Sequence, residues 1–473
     1  STPAATLIDM KFDTVIFGGT LHTADRSFPG EIGIVGERIA AIGAPGSLDR
    51  APGSLLIDAT GKDVIPGCLD VHVHLALPFC GTVSCDDFDS GSRAAASGCV
   101  TTVIDFAIPG EGESLADADA AWHRKSDGIS MVDYAWHLAI TKRRHIEEIP
   151  AMIARGLPTF KQFMIYESEG WNADDAMMFE ALEQMRKHAG MLLVHAESPR
   201  VLDLLIARMH TPENMREYGA RLHAMTRPNF IEAEAIERAI RWCEETGGSL
   251  YIVHMSTEEG ARLIREAQSR GTRVWAETCV QYLCLIDDVF SELEGHLYAC
   301  CPQLKKKPDI SRLWKGLRGG EVSVVSTDTC TFTKAQKARW EGDWTKIPMG
   351  MPGLETLLPL VYTKGVLGKR ITLQQMVQKC CANPAKIMGL YPKKGVLAAG
   401  SDADIAIFDP STTIEVDHAT METGADWNPY QGMKLAGFAE HTFSRGRQIV
   451  KDYKCVDAHG WGQWLPRERA GCL

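Results

Sequence analysis

The sequence contains no Cys-x-x-Cys pair, no apolar run of membrane-spanning length, and no block of Lys and Arg to offset a net charge of −11. The missing basic block argues against a nucleic-acid partner, and the missing apolar run against a membrane helix. No segment reads as a secretory signal, so the fourteen cysteines are expected to be reduced and mostly buried in a cytoplasmic protein, with a few lining a pocket. Cys300-Cys301 and Cys380-Cys381 are neighbours that would strain to pair with each other.

What is present is apolar mass and a recurring texture. A chain of 473 residues, 45% hydrophobic, buries a large core and has room for more than one domain. Its first sixty residues read as short strands around turns: Phe12–Phe17 before Gly18-Gly19, then Glu31–Val35 and Ile39–Ile42 around Gly36-Glu37-Arg38. The same texture returns at Ile405–Phe408, His441–Phe443 and Gln448–Val450. Two such segments flanking a long centre suggest one β domain assembled from both termini; two unrelated β caps are the alternative.

In the centre, strand-like runs alternate with helical ones. The predicted strands are Val64–His74, Val100–Phe106, Val132–Ile140, Thr159–Tyr166, Met191–His195, Ser249–Met255, Thr272–Glu277 and Val322–Asp328. Helices are predicted at Ala173–His188, Ile231–Glu245 and Glu258–Ser269, and the stripe of Met177, Met178, Leu182 and Met185 is core packing. Eight β/α units predict an α/β fold, a (β/α)8 TIM-like barrel with catalytic residues at the C-terminal strand ends. The expected division is residues 1–63 and 393–455 for the β-sandwich, 64–392 for the barrel, and 456–473 for a tail available for oligomer contact.

Chemistry-bearing residues fall at those strand ends. His72 and His74, two apart on the first strand, point the same way. Lys161, His195, His254 and Asp328 each end a later apolar run. Singly, His195 or His254 would be an ordinary core histidine; together at one barrel face, these residues favour a metal centre. Lys161 is the candidate bridge between two divalent cations. Its amine, buried beside them, is driven neutral and can react with carbon dioxide to give a carbamate. The bland alternative is an ion pair with Glu277 or Asp105. Two cations about 3.5–4 Å apart share a hydroxide that can attack a carbonyl. Asp328 then moves the proton, and Tyr166 donates a hydrogen bond to the oxyanion unless it is a plain strand-end tyrosine.

With these residues placed, the sequence resembles the dihydropyrimidinase/hydantoinase (cyclic amidohydrolase) family of the amidohydrolase superfamily along nearly its whole length. The resemblance is carried by Pro66-Gly67 through His74, Pro78–Val83, Asp105–Pro109, Lys161–Tyr166, Val194–Glu197 and Asn383–Pro392 into Lys393-Lys394-Gly395. It implies a barrel with a β-sandwich of both termini, N6-carboxylysine at Lys161, and two divalent ions, Zn2+ first with Mn2+ or Co2+ as alternatives. It also implies a homotetramer or dimer, and opening of a small-molecule cyclic amide, a hydantoin or dihydropyrimidine, to an N-carbamoyl amino acid. All six metal-site positions match. The departures are Cys301 where the family has Ser, Met349 where it has Asn, and Thr329 where it has His. In the family the first two positions hold the ring largely through backbone groups, so Cys301 and Met349 are expected to bind substrate in a more apolar pocket. A mononuclear deaminase on the same barrel and a non-catalytic scaffold related to dihydropyrimidinase are the competing readings. Lys161 argues against the first, and the complete ligand set against the second.

Overall fold

A computed structural model describes residues 11–471; residues 1–10 and 472–473 of the terminal segments lie outside the described residues. Eight parallel strands form one curved sheet: β1 (Cys68–Val73), β2 (Val100–Ala107), β3 (Asp133–Ala139), β4 (Thr159–Phe163), β5 (Met191–His195), β6 (Leu250–Ile252), β7 (Val274–Cys279) and β8 (Val324–Ser326). Each pairs with its sequence neighbour, as connections through helices require. Just beyond β8, Thr329 bridges in parallel to Val73 and its carbonyl accepts the His74 N–H at 2.8 Å. The barrel thus closes at the end that carries His74 and Asp328. The surrounding helices follow the predicted pattern. Glu258–Ser269 opens on a Thr257 cap to the Gly260 N–H and buries Ala261, Ile264 and Ala267.

The predicted first strand, Val64–His74, is two strands. Asp63–Pro66 pairs with Ile405–Phe408 and Thr20–Leu21, whereas β1 belongs to the barrel. The chain crosses between sheets at Gly67, where a Cβ would lie 2.1 Å from Thr101 Oγ1; the crossing needs glycine. Asp63–Pro66 sits in a seven-stranded sheet with strands from both chain ends, and a four-stranded sheet of N-terminal strands packs on it. Ile16, Ile32, Ile34, Val64, Ile405, Ile407 and Phe443 fill the space between them. Strands from both chain ends thus share one sheet and one core instead of forming two unrelated caps.

A buried ionic bolt ties this domain to the barrel. Lys394 Nζ lies 2.5 Å from Asp133, 2.9 Å from Asp402 and 2.7 Å from Asp404, and Arg445 Nε is 3.0 Å from Asp133. The three carboxylates would suit a cation, but the ammonium already stands among them. Removing one partner of a buried pair strands the others without compensation and costs about 3–5 kcal/mol. Lys394→Met is therefore expected to lower stability by about that amount in denaturant titration; a loss below 1 kcal/mol would contradict the bolt.

The tail runs along the chain's own barrel: the Tyr134 N–H donates to the Gln463 carbonyl at 3.0 Å, and Leu465 N–H to Tyr134 at 2.8 Å. All thirteen cysteines among the described residues are free. No helix among them is long and apolar enough to cross a membrane.

Candidate metal centre

Local backbone strain aims the site. Tyr166, His254 and Asp328 all adopt left-handed φ, at 71°, 38° and 52°, an uncommon conformation that persists where surrounding contacts over-determine it. Each follows a barrel strand, so each kink turns a side chain from the wall into the barrel mouth. Tyr166 lies beyond the end of β4 rather than within it. Asp70, buried under the first pair, accepts from the His72 N–H at 3.1 Å and the Thr327 hydroxyl at 2.6 Å, fixing β1 to the approach to Asp328. Burial pushes its pKa up to about 7.

All six expected ligands line one cavity of about 40 Å³: His72, His74, Lys161, His195, His254 and Asp328. His72 and His254 ring centroids are 5.3 Å apart, and those of His195 and His254 4.4 Å. Asp328 Oδ1 lies 3.1 Å from His72 Nε2 and 3.3 Å from His74 Nε2. Even so, His72 Nε2, His74 Nδ1 and His254 Nδ1 are buried without hydrogen-bond partners. Buried imidazole nitrogens are normally satisfied, so the orphan His72 Nε2, 3.1 Å from the Asp328 carboxylate, fits a cation-holding donor set. His72, His254 and Asp328 offer atoms within 4.8 Å of one another.

The outer contacts orient these donors. Glu277 holds His72 Nδ1 and also accepts from Tyr251 Oη at 2.9 Å and the His254 N–H at 3.1 Å. Glu197 Oε2 takes His195 Nε2 at 2.7 Å, leaving Nδ1 as that ring's uncommitted nitrogen, and Arg227 Nε stands 3.8 Å behind Glu197. Such carboxylate–imidazole pairs fix ligand orientation in metal sites. Burial alone would disfavour a charged His72, but Glu277 and Asp328 outweigh it and push its pKa up to about 9. A cation competes for the place of that proton. For Asp328 too burial opposes charge, but the charge of His72 and the close approach of the His72 and His74 rings hold it well below the usual carboxylate range.

Lys161 is 1% exposed. Its expected alternative partners are both committed elsewhere: Glu277 to His72 and Tyr251, Asp105 to the Leu75 N–H at 2.8 Å and Trp122 Nε1 at 3.2 Å. Among the described residues Lys161 forms no ion pair; its nearest cation–π partners are the Phe106 and Phe163 rings, 4.8 and 5.0 Å away. Burial pulls its pKa down to about 7, so the amine is available in its neutral, nucleophilic form.

The rest of the cavity wall is aromatic and sulfur-rich. Phe79 stacks on Trp171 at 5.4 Å, and Tyr166 meets Phe79 edge-on at 5.4 Å and His195 at 5.3 Å. The Cys301 thiol lies 2.9 Å from Met349 Sδ, so two departures from the family pattern touch each other. Lys337, fully buried, donates to the Ala299 carbonyl at 3.2 Å, and the Gly350 N–H donates to the same oxygen at 2.8 Å. It thereby joins the segments carrying Cys301 and Met349. Sequence reasoning passed over Lys337, Trp171, Glu197 and Arg227. Only Glu197 left a signal, standing two residues after His195 and so facing the same way.

The model of the amidohydrolase family matches residues 64–449. A D-hydantoinase of Geobacillus stearothermophilus is 38% identical over 97% of this chain and 97% of its own length. A D-phenylhydantoinase of Escherichia coli is 34% identical over 87% of this chain and 89% of its own. The crystal structure of a dihydropyrimidinase from Brevibacillus agri superposes with a TM-score of 0.93 at 35% identity, covering 97% of this chain and 99% of that one.

Proposed function

This chain belongs to the amidohydrolase family, and from that premise we propose a binuclear metal-dependent hydrolase that opens the amide bond of a cyclic ureide or imide. Hydantoins and dihydropyrimidines are the substrate types. The observation that carries the reading is the convergence of four histidines, Asp328 and a buried Lys161 without an ion-pair partner among the described residues on one aromatic-walled cavity. His72, His74, His195, His254, Asp328 and carboxylated Lys161 would hold two divalent ions, Zn2+ first. When bound, these supply Lewis acidity toward the amide carbonyl and toward water.

The chain's own groups do the rest. Asp328, at the cavity floor, takes the proton of the attacking water and passes it to the leaving ring nitrogen. Tyr166 donates to the developing oxyanion. Backbone groups at Cys301 and Met349 orient the ring, and Phe79, Tyr166 and Trp171 exclude water from its substituent. The D-hydantoinase and D-phenylhydantoinase relatives support this reading over a deaminase or a scaffold. Assembly into a homo-oligomer suits Val201 and Leu204, exposed on the Pro199–Met209 helix. Ring opening is tested by offering hydantoin, dihydrouracil, an aryl-substituted hydantoin and a cyclic imide to the metal-loaded protein. Release of the N-carbamoyl amino acid from the ureides is expected, with the aryl hydantoin favoured. Ammonia release, or no turnover of any ring, contradicts the reading.

A further inference from the structure

Beside the metal cavity lies a second, wider one of about 360 Å³ that shares Phe79, Tyr166 and Met349 with it. Arg339 and Lys346 stand in its wall. Arg339 Nη1 donates to the Gly81 carbonyl at 3.1 Å, which pins the guanidinium beside the loop that carries Phe79. Among the described residues, Arg339 has no carboxylate within ion-pairing distance. Lys346 is only loosely held, 3.6 Å from Asp343. Ser168 and Thr345 add hydroxyls to the same wall, and Glu169 is its one carboxylate. Glu169 forms no ion pair with either cation among the described residues, so the guanidinium retains uncommitted donors. A molecule with a net charge of −11 repels anions at long range, so two cations at the mouth of its catalytic cavity stand out.

Resting on the ring-opening activity proposed above, we propose that this mouth selects rings whose apolar arm ends in a carboxylate. The ring sits at the metal centre, the arm crosses the wall of Phe79 and Tyr166, and the acid meets Arg339. A guanidinium is suited to this because its fork of donors binds a carboxylate in two parallel bonds.

The test compares kcat/KM for hydantoins bearing a 2-carboxyethyl or an isosteric 2-carbamoylethyl arm at position 5, with unsubstituted hydantoin as reference. In the wild-type metal-loaded enzyme at low salt, the acid is expected to exceed the amide about three- to tenfold, between the strength of an exposed ion pair and that of a charged hydrogen bond. Arg339→Gln should bring the ratio close to one, Lys346→Gln should lower it less, and 0.5 M salt should shrink it in the wild type. A ratio unmoved by Arg339→Gln, or a wild type that favours the amide, overturns the proposal even though unsubstituted hydantoin is opened. If unsubstituted hydantoin is not opened either, the ring-opening activity itself fails.

Discussion

Lys161→Ala is expected to lose one or both bound metals and nearly all activity while the barrel stays folded. The amine it removes is buried, its pKa pulled down to about 7 by burial, and free of any ion pair among the described residues, so its loss strands no partner charge. The thermal transition should move little, unlike that of Lys394→Met. No other side chain on β4 supplies an anion that could replace a carbamate. Deleting even an outer partner of a ligand costs about 10–100-fold in affinity or activity; deleting a bridging ligand should cost more. Short carboxylic acids added to the mutant should restore part of the turnover by occupying the space left by the side chain. Elemental analysis and turnover are the measurements, and full metal content with wild-type activity would end the carbamate hypothesis.

Asp328→Asn is expected to lower kcat by at least about 10²–10⁴-fold, the usual contribution of general acid–base catalysis. The carboxylate sits within 3.3 Å of two histidines and is held well below the usual carboxylate range. It is therefore ionised at neutral pH and able to accept a proton. An amide keeps the shape and one oxygen donor but cannot carry that proton. The left-handed φ of 52° at this position also suits Asn, which tolerates that region better than most residues, so the substitution should not disturb the kink. A mutant within a fewfold of wild type would mean that another group moves the proton.

The barrel was legible because each strand is an apolar run and the ligand candidates stand at the run ends. Met191–His195 and the helix Glu258–Ser269 match residue for residue. The split at Gly67 was not legible: one unbroken apolar run serves two sheets, and only a close approach to Thr101 marks the crossing. All six ligand candidates converge, whereas the partners that orient them do not show in a linear reading. Glu277 looked like a candidate counter-ion for Lys161 because both are barrel residues; the register of β7 places it under His72 instead. The substrate side was the least legible. Phe79, Trp171 and the stretch holding Arg339 and Met349 follow three different barrel strands, and such residues meet only after the barrel has set their spacing.

The proposed two-metal centre bridged by Lys161 is tested most directly by the divalent metal content of the purified, active protein per chain. Two ions per wild-type chain, falling to one or none in Lys161→Ala, is the predicted result. One ion or none in the active wild type would contradict it.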